Sequence, residues 1–247
     1  MWFKNLIIYR LPAEWALSGP ELEQQLSART LQPCGPFDTF TRGWVAPASS
    51  GRLVHTVNQQ HLIALGMNQK LLPASVIRQV TAERAQAQAQ EQGFPVGRRQ
   101  MRDLKMRVTE ELRARALTRR RITRAWIDPA DGWLVVDAAG AARAEELIET
   151  LRDTLGSLAV QLVETERSPQ LSMVSWLKLG TPPLRFSIDE DLELQAANQS
   201  KASIRYSRHP LGGKEIQAHL NGGMYATRLG LTWNDRIAFV LTEKLQI

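Results

Sequence analysis

Six arginines crowd the stretch LRARALTRRRITRAW at 112–126 (Arg113, Arg115, Arg119, Arg120, Arg121 and Arg124), and no acid falls among them. Guanidinium forks at this density suit one chemistry above others, the grip on phosphate oxygens. The enrichment extends backwards along the chain. From Lys70 to Arg124 there are 14 Lys/Arg against 5 Asp/Glu, a local balance of +9 within a net charge of +6, so the remainder sums to −3. Such an asymmetry points to a polyanionic partner, nucleic acid first and anionic lipid second.

Other reactive groupings are weaker. Asp128, Asp131 and Asp137 lie beside the basic run, and carboxylates can hold magnesium for phosphodiester cleavage. Asp128 and Asp131 belong to a Pro/Gly turn, where aspartate serves as a cap for backbone amides. No Glu-x-Lys pair accompanies them, so the turn role is preferred and a magnesium-dependent nuclease is kept as the alternative. An RNA- or ribosome-associated binder is a further alternative. The four histidines (His55, His61, His209, His219) and the single Cys34 lack zinc-ligand spacing, and PLGGKE is not a P-loop. No catalytic residue, metal or cofactor is expected.

The elements that must carry the arginines follow from periodicity. PASVIRQVTAERAQAQAQEQ reads as a helix that stops at GFPVG, and a second helix follows over roughly 98–116. At 100° per residue, Arg98, Arg102, Lys105 and Arg113 fall within about 80° of one another, with Thr109 completing a ridge about 22 Å long. Met101, Leu104, Val108 and Leu112 form an apolar stripe beside it. Asp103→Arg107 and Glu111→Arg115 are spaced for intrahelical pairs. Arg119–Arg121 would then sit at the helix C-terminus, where the dipole favours cations. No helix-turn-helix, zinc-finger or RRM signature presents side chains to base edges, so sequence-independent contacts are expected. Trp126 and Trp133 flank the next turn and are read as core.

The fold class is α+β: mixed, largely antiparallel sheets with amphipathic helices. Strands are expected over FKNLIIYRL, TRGWVAP and QQHLIALGMNQKLL. AWIDPADGWLVVD reads as a hairpin, and AARAEELIETLRDTLGS as a helix burying Ala144, Leu147, Ile148, Leu151 and Leu155. LAVQLVE, LRFSI, LELQAA, ASIRYSR, MYATRLGLTW and RIAFVLTEKLQI read as further strands. Four regions result: 1–72, strand-rich; 73–124, a basic helical arm; 125–180, hairpin plus helix; and 181–247, strand-rich. A further C-terminal segment is expected beyond the abrupt last strand. A hydrophobic content of 43% with 23% charged residues is that of an ordinary globular protein. A lone cysteine, no signal peptide and no membrane span predict a cytoplasmic protein without membrane contact.

The chain also resembles a known family. MWFKNLIIYRL, PCG at 33–35, GWV at 43–45, LLPASVI at 71–77, the Arg115–Ala116 pair, WID…G.L.VD at 126–137, AEELIETLRDTLGSL at 144–158, Trp176 and LGLTWNDRIAFVL together resemble the recombination-associated RdgC family. The resemblance implies a ring-shaped homodimer with a basic hole that binds double-stranded DNA, and single-stranded DNA as well, without sequence preference. It implies antagonism of the RecA recombinase, a role supporting replication, association with the nucleoid, and no catalysis. It also implies that Arg115, Ala116 and Leu117 contribute a dimer contact, Leu117 standing where an aromatic residue is expected. A second basic stretch is implied at Arg205, Arg208 and Lys214.

Overall fold

The computed structural model describes residues 3–11, 15 and 17–247. In chain order the strands are β1 (Leu6–Arg10), β2 (Phe40–Val45), β3 (His55–Val57), β4 (Gln60–Lys70), β5 (Thr118–Asp128), β6 (Trp133–Asp137), β7 (Gln161–Leu162), β8 (Phe186–Ala196), β9 (Ser203–Tyr206), β10 (Met224–Trp233) and β11 (Ile237–Thr242). The helices are α1 (Gly19–Ser27), α2 (Ala74–Gln92), α3 (Arg98–Arg115), α4 (Ala141–Leu155), α5 (Pro169–Leu179) and α6 (Lys214–Asn221). The α+β class is thus confirmed, with antiparallel pairing throughout the registers observed. Among the described residues, no helix is long and apolar enough to cross a membrane.

The chain divides into two compact units. One comprises Ala16–Trp126 and Glu146–Leu158. Its strands run in the order β2-β4-β5, with β3 paired to β4. Helix α1 begins with a capping box in which the Ser18 N–H donates to Glu21 Oε2 at 2.9 Å, and it buries Leu22 and Leu26 completely. Trp44 on β2 is buried and donates through Nε1 to Thr154 Oγ1 on α4 at 3.0 Å. Gly43 and Gly66 lie opposite one another on β2 and β4. A Cβ at Gly43 would meet the Leu31 backbone at 2.5 Å, and one at Gly66 the Leu31 side chain at 2.7 Å. These two glycines let the segment around Leu31 lie flat against the strands.

The other unit comprises Met1–Trp15, Ile127–Glu145 and Ala159–Ile247. It holds the strand order β6-β1-β7 and a four-stranded sheet, β11-β10-β8-β9. Helices α5 and α6 cover one face of that sheet with Met173, Leu177, Ile216 and Leu220, which pack on Leu192, Leu194, Leu229 and Leu231. LRFSI and LELQAA, expected as two strands, are one continuous β8. The intervening acids do not break it, because Asp189 accepts the Thr232 hydroxyl of β10 at 2.9 Å and two register shifts absorb the irregularity. LAVQLVE, expected as a full strand, contributes only Gln161–Leu162, paired with Tyr9 and Arg10 alone.

Candidate nucleic-acid interface

Helices α2 and α3 form a hairpin inserted between β4 and β5. Gly93 ends α2 with φ 79°, a left-handed value that glycine adopts without strain. At the base, the Leu71 N–H donates to the Leu117 carbonyl at 2.8 Å, which ties the entry of the hairpin to its exit. The two helices share a thin core. Its buried apolar residues are Ala85, Leu104 and Val108, with Val80, Val96 and Leu112 packed alongside, and Thr81 is buried on α2 with its hydroxyl donating to the Ile77 carbonyl. The expected apolar stripe therefore docks through its middle, while Met101 at its head is 37% exposed. With no further layer over it, the hairpin leaves most of its polar surface in solvent.

The expected basic ridge is solvent-facing for most of its length. Arg98, Arg102 and Lys105 are exposed, and among the described residues none of their side chains has a hydrogen bond or an ion pair, the Thr109 hydroxyl bonding only the Lys105 carbonyl. Arg113 is half-buried and donates to the Phe37 carbonyl at 3.5 Å. Two exposed arginines of the same helix, Arg99 and Arg107, extend the basic surface and lie off the ridge in the wheel. Their signal was simply their presence on a helix whose core face was already assigned to other residues.

The pairing of acids on α3 differs from expectation. Glu111 is bonded not to Arg115 but to Arg84 of α2, at 2.7 Å. The hydrogen bond and charge of Arg84 hold the Glu111 carboxyl below its usual range, with Arg115 adding a smaller effect at longer reach. Arg84 is raised in turn. No Asp103–Arg107 pair is present among the described residues. The inter-helix bridge is the better geometry because it also fastens the two helices to each other.

Arg119, Arg120 and Arg121 do not end the helix. Helix α3 stops at Arg115, Ala116 turns extended (φ −65°, ψ 138°), and the arginines open β5. The Leu71–Leu117 bond draws the chain alongside the end of β4, and Thr118, Ile122 and Thr123 suit a strand. On a strand the side chains alternate, so the triplet is dispersed rather than presented as one patch. Arg119 is exposed and unpaired among the described residues. Arg120 Nε donates to Asn68 Oδ1 at 3.1 Å. Arg121 pairs with Glu146 on α4 at 2.5 Å and touches the Met67 sulfur. Arg124 Nε donates to the Pro47 carbonyl at 3.4 Å.

Arg115, Ala116 and Leu117 lie at the foot of the hairpin, with Leu117 78% exposed. Arg205 is exposed on β9, while Arg208 and Lys214 are exposed around the turn into α6. These three belong to the other compact unit and form their own group.

Of the three carboxylates near the basic run, those of Asp128 and Asp137 are held by backbone N–H groups, and Asp131 is exposed. Asp128 is buried, and its Oδ1 accepts the N–H groups of Ala130 and Asp131 at 3.1 and 3.2 Å, the capping role expected of a turn aspartate. Asp137 Oδ1 accepts those of Lys4 and Asn5 at 3.1 Å each. Among the described residues, no group of three or more His, Cys, Asp or Glu is arranged to hold a metal ion. Trp133 is half-buried with the Arg10 guanidinium 4.0 Å above its ring, and Trp126 is half-buried on β5. Both were expected in the core, and neither is fully buried.

A family model described as "Putative exonuclease, RdgC" matches residues 1–247. The chain belongs to the RdgC family. A "Recombination-associated protein RdgC" from Dechloromonas aromatica (strain RCB) is 48% identical over 250 residues, covering all of this chain and 82% of that protein. Proteins of the same name from Cupriavidus pinatubonensis and Janthinobacterium sp. (strain Marseille) are each 44% identical over 247 residues, covering 83% and 82% of their lengths.

Proposed function

We propose that this RdgC-family protein binds double-stranded DNA, and single-stranded DNA more weakly, without reading sequence. The observation that carries this is the set of exposed cations on α3 (Arg98, Arg99, Arg102, Lys105 and Arg107), none of which is in an ion pair with a carboxylate of the described residues. Helical spacing sets Arg98, Arg102 and Lys105 about 4.5–6 Å apart along the axis, so that one helix can meet several phosphates of a nucleic acid. Counterion release at these contacts supplies the binding free energy, and no groove-reading element supplies specificity.

In this reading the protein acts as a homodimer closed into a ring, with Arg115, Ala116 and Leu117 at one subunit contact. The α3 cations, with Arg205, Arg208 and Lys214, face the hole. Encircling duplex turns weak individual contacts into retention, and an occupied duplex is a poorer substrate for RecA filaments. No catalytic step is part of this function, and Asp128 and Asp137 serve as backbone caps.

The test is a pair of binding measurements. Affinity for 40-base-pair duplexes of unrelated sequence is expected to agree within about threefold and to fall by 10³ or more between 50 and 200 mM salt, on the order expected for six to ten phosphate contacts. Affinity unmoved by salt would remove the electrostatic basis. For the ring, retention after a high-salt wash should be longer on a covalently closed circle than on the same DNA linearised, and equal retention would count against encirclement. The family description names an exonuclease, so labelled duplex should be incubated with magnesium. Progressive shortening from the ends would replace the binding reading with a catalytic one.

A further inference from the structure

The turn that joins α2 to α3 holds an aromatic ring out in solvent. Phe94, in the GFPVG break, is 59% exposed. The chain on either side of it is fixed. Gly93 has its left-handed φ of 79°, and Gln92 Nε2 donates to the Phe94 carbonyl at 2.9 Å. Pro95 sets its own φ, and Val96 packs against the hairpin core. Next in the chain, the Gly97 N–H donates to Gln100 Oε1 at 2.9 Å as α3 begins. The outward position of the ring is therefore built into the turn.

The ring stands at the head of the basic ridge. Arg98, Arg99 and Arg102 follow it directly, all exposed, and none is in an ion pair among the described residues. The exposed acids nearest in the chain are Glu91 before the turn and Asp103 after it. From Arg98 the ridge runs down the helix through Lys105 to Arg113, about 22 Å along the axis. That layout says what kind of anion the hairpin fits. A lipid surface would meet only the tip and leave Lys105 and Arg113 without a phosphate. A rod-like polyanion lying along α3 meets the cations in turn, and its next unit falls at Phe94.

The next unit of a nucleic acid offers a base as well as a phosphate. A phenyl ring has no hydrogen-bonding group with which to read a base edge, but it can stack on the π-face that every base carries. In intact duplex those faces are already stacked on one another. The base open to Phe94 is an unpaired one.

We propose that Phe94 is a stacking site for an unpaired base, so that the hairpin prefers duplex interrupted by a single-stranded gap to intact duplex. The duplex flank lies on the α3 cations, and a base of the gap turns out onto the ring. This inference rests on the reading of α3 as the DNA-binding surface. It adds a preference for DNA structure and none for sequence.

The test uses the intact chain and two competitors of a labelled 40-base-pair duplex: the same duplex unlabelled, and that duplex with a three-nucleotide gap in one strand. The gapped DNA should compete about tenfold better. Phe94→Ala and Phe94→Leu should both lose that advantage while affinity for intact duplex and its salt slope stay unchanged. Leucine keeps apolar bulk but has no π-face, so it separates stacking from wedging. Phe94→Trp should keep the advantage. As Phe94 is exposed, all three variants should unfold like the unaltered chain. Equal competition by the two DNAs, or an advantage that survives Phe94→Ala, would overturn the stacking site and leave duplex binding standing. Failure to bind either DNA would overturn the DNA-binding reading and this inference with it. Co-sedimentation with phosphatidylglycerol vesicles that Phe94→Ala abolishes, without a preference for the gap, would assign the tip to lipid instead.

Discussion

On α3, the side chains of Arg98, Arg99, Arg102 and Lys105 are exposed and have no partner among the described residues. On β5, Arg120 reaches Asn68, Arg121 reaches Glu146 and Arg124 reaches the Pro47 carbonyl. The two elements are consecutive and similarly basic, yet their geometries assign the charge differently. A helix anchored along one narrow stripe projects its other side chains freely. A strand flanked by neighbours aims alternate side chains at the segments packed on each face, where a long cation finds carbonyls and carboxylates of its own chain. Density of arginine in the sequence is therefore a poor guide to available positive charge. What decides is how many sides of the element are covered.

This contrast can be broken in several ways. The largest expected effect is on nucleic-acid affinity. Arg98→Ala, Arg102→Ala and Lys105→Ala together should remove about three phosphate contacts and weaken duplex binding by 30-fold or more near 0.1 M salt, measured by anisotropy titration. Because these side chains are exposed and have no hydrogen bond or ion pair among the described residues, thermal unfolding should be unchanged within about 0.5 kcal/mol.

Next come the cores that carry the two kinds of element. Leu104→Ala in the hairpin and Leu194→Ala under the four-stranded sheet each delete a buried leucine at a cost of about 3 kcal/mol. The hairpin core is so small that its loss should appear as local opening, with amide exchange in α2 and α3 accelerated about 100-fold and the sheet amides unaffected. Leu194→Ala should instead lower the stability of its whole unit. Uniform acceleration in both variants would show that the hairpin is not an independent opening unit.

Arg121→Ala should cost about 1–3 kcal/mol by leaving Glu146 without its partner in a partly buried site, and a denaturant titration would show it. Adding Glu146→Gln should recover part of that loss. An Arg121 variant that loses DNA affinity at full stability would mean that the strand arginines contact the ligand after all.

The smallest effects are on pH dependence. His61 is 4% exposed, and burial holds its imidazole below the usual value. Its folded form resists protonation, so its contribution is fully present above the unfolded value near 6.5 and is lost as pH falls below it. The melting temperature should drop between pH 7 and 5, and His61→Gln should flatten that drop. The Arg84–Glu111 bridge acts lower. The depressed Glu111 carboxyl contributes above its unfolded value and loses that contribution as pH falls through its folded value. Glu111→Gln should flatten hairpin stability in that acidic range, and added salt should mask the difference.

Much of the fold was legible because its strongest signals are local. The proline before Ala74, the GFPVG break and the Leu104/Val108 spacing define α2 and α3 nearly to the residue, and MYATRLGLTW coincides with β10. The misjudged segments depend on partners distant in the chain. Arg119–Arg121 look like a helix end until the Leu71–Leu117 bond pulls them into a strand. IDED looks like a break until Thr232 satisfies Asp189. Glu111 looks paired with Arg115 until α2 brings Arg84 across. The candidate site was legible to the extent that it is helical, since a wheel separates a docked stripe from a free ridge. For the strand portion, only the identity of the neighbours says which arginines are free.

The most direct measurement is the slope of log affinity against log salt for three proteins on one duplex: the unaltered chain, the α3 triple variant, and Arg120→Gln combined with Arg124→Gln on β5. The α3 variant should lose about three units of slope, while the β5 variant keeps the original slope. A flattened slope in the β5 variant with an unaltered slope in the α3 variant would contradict the assignment of free charge to the helix.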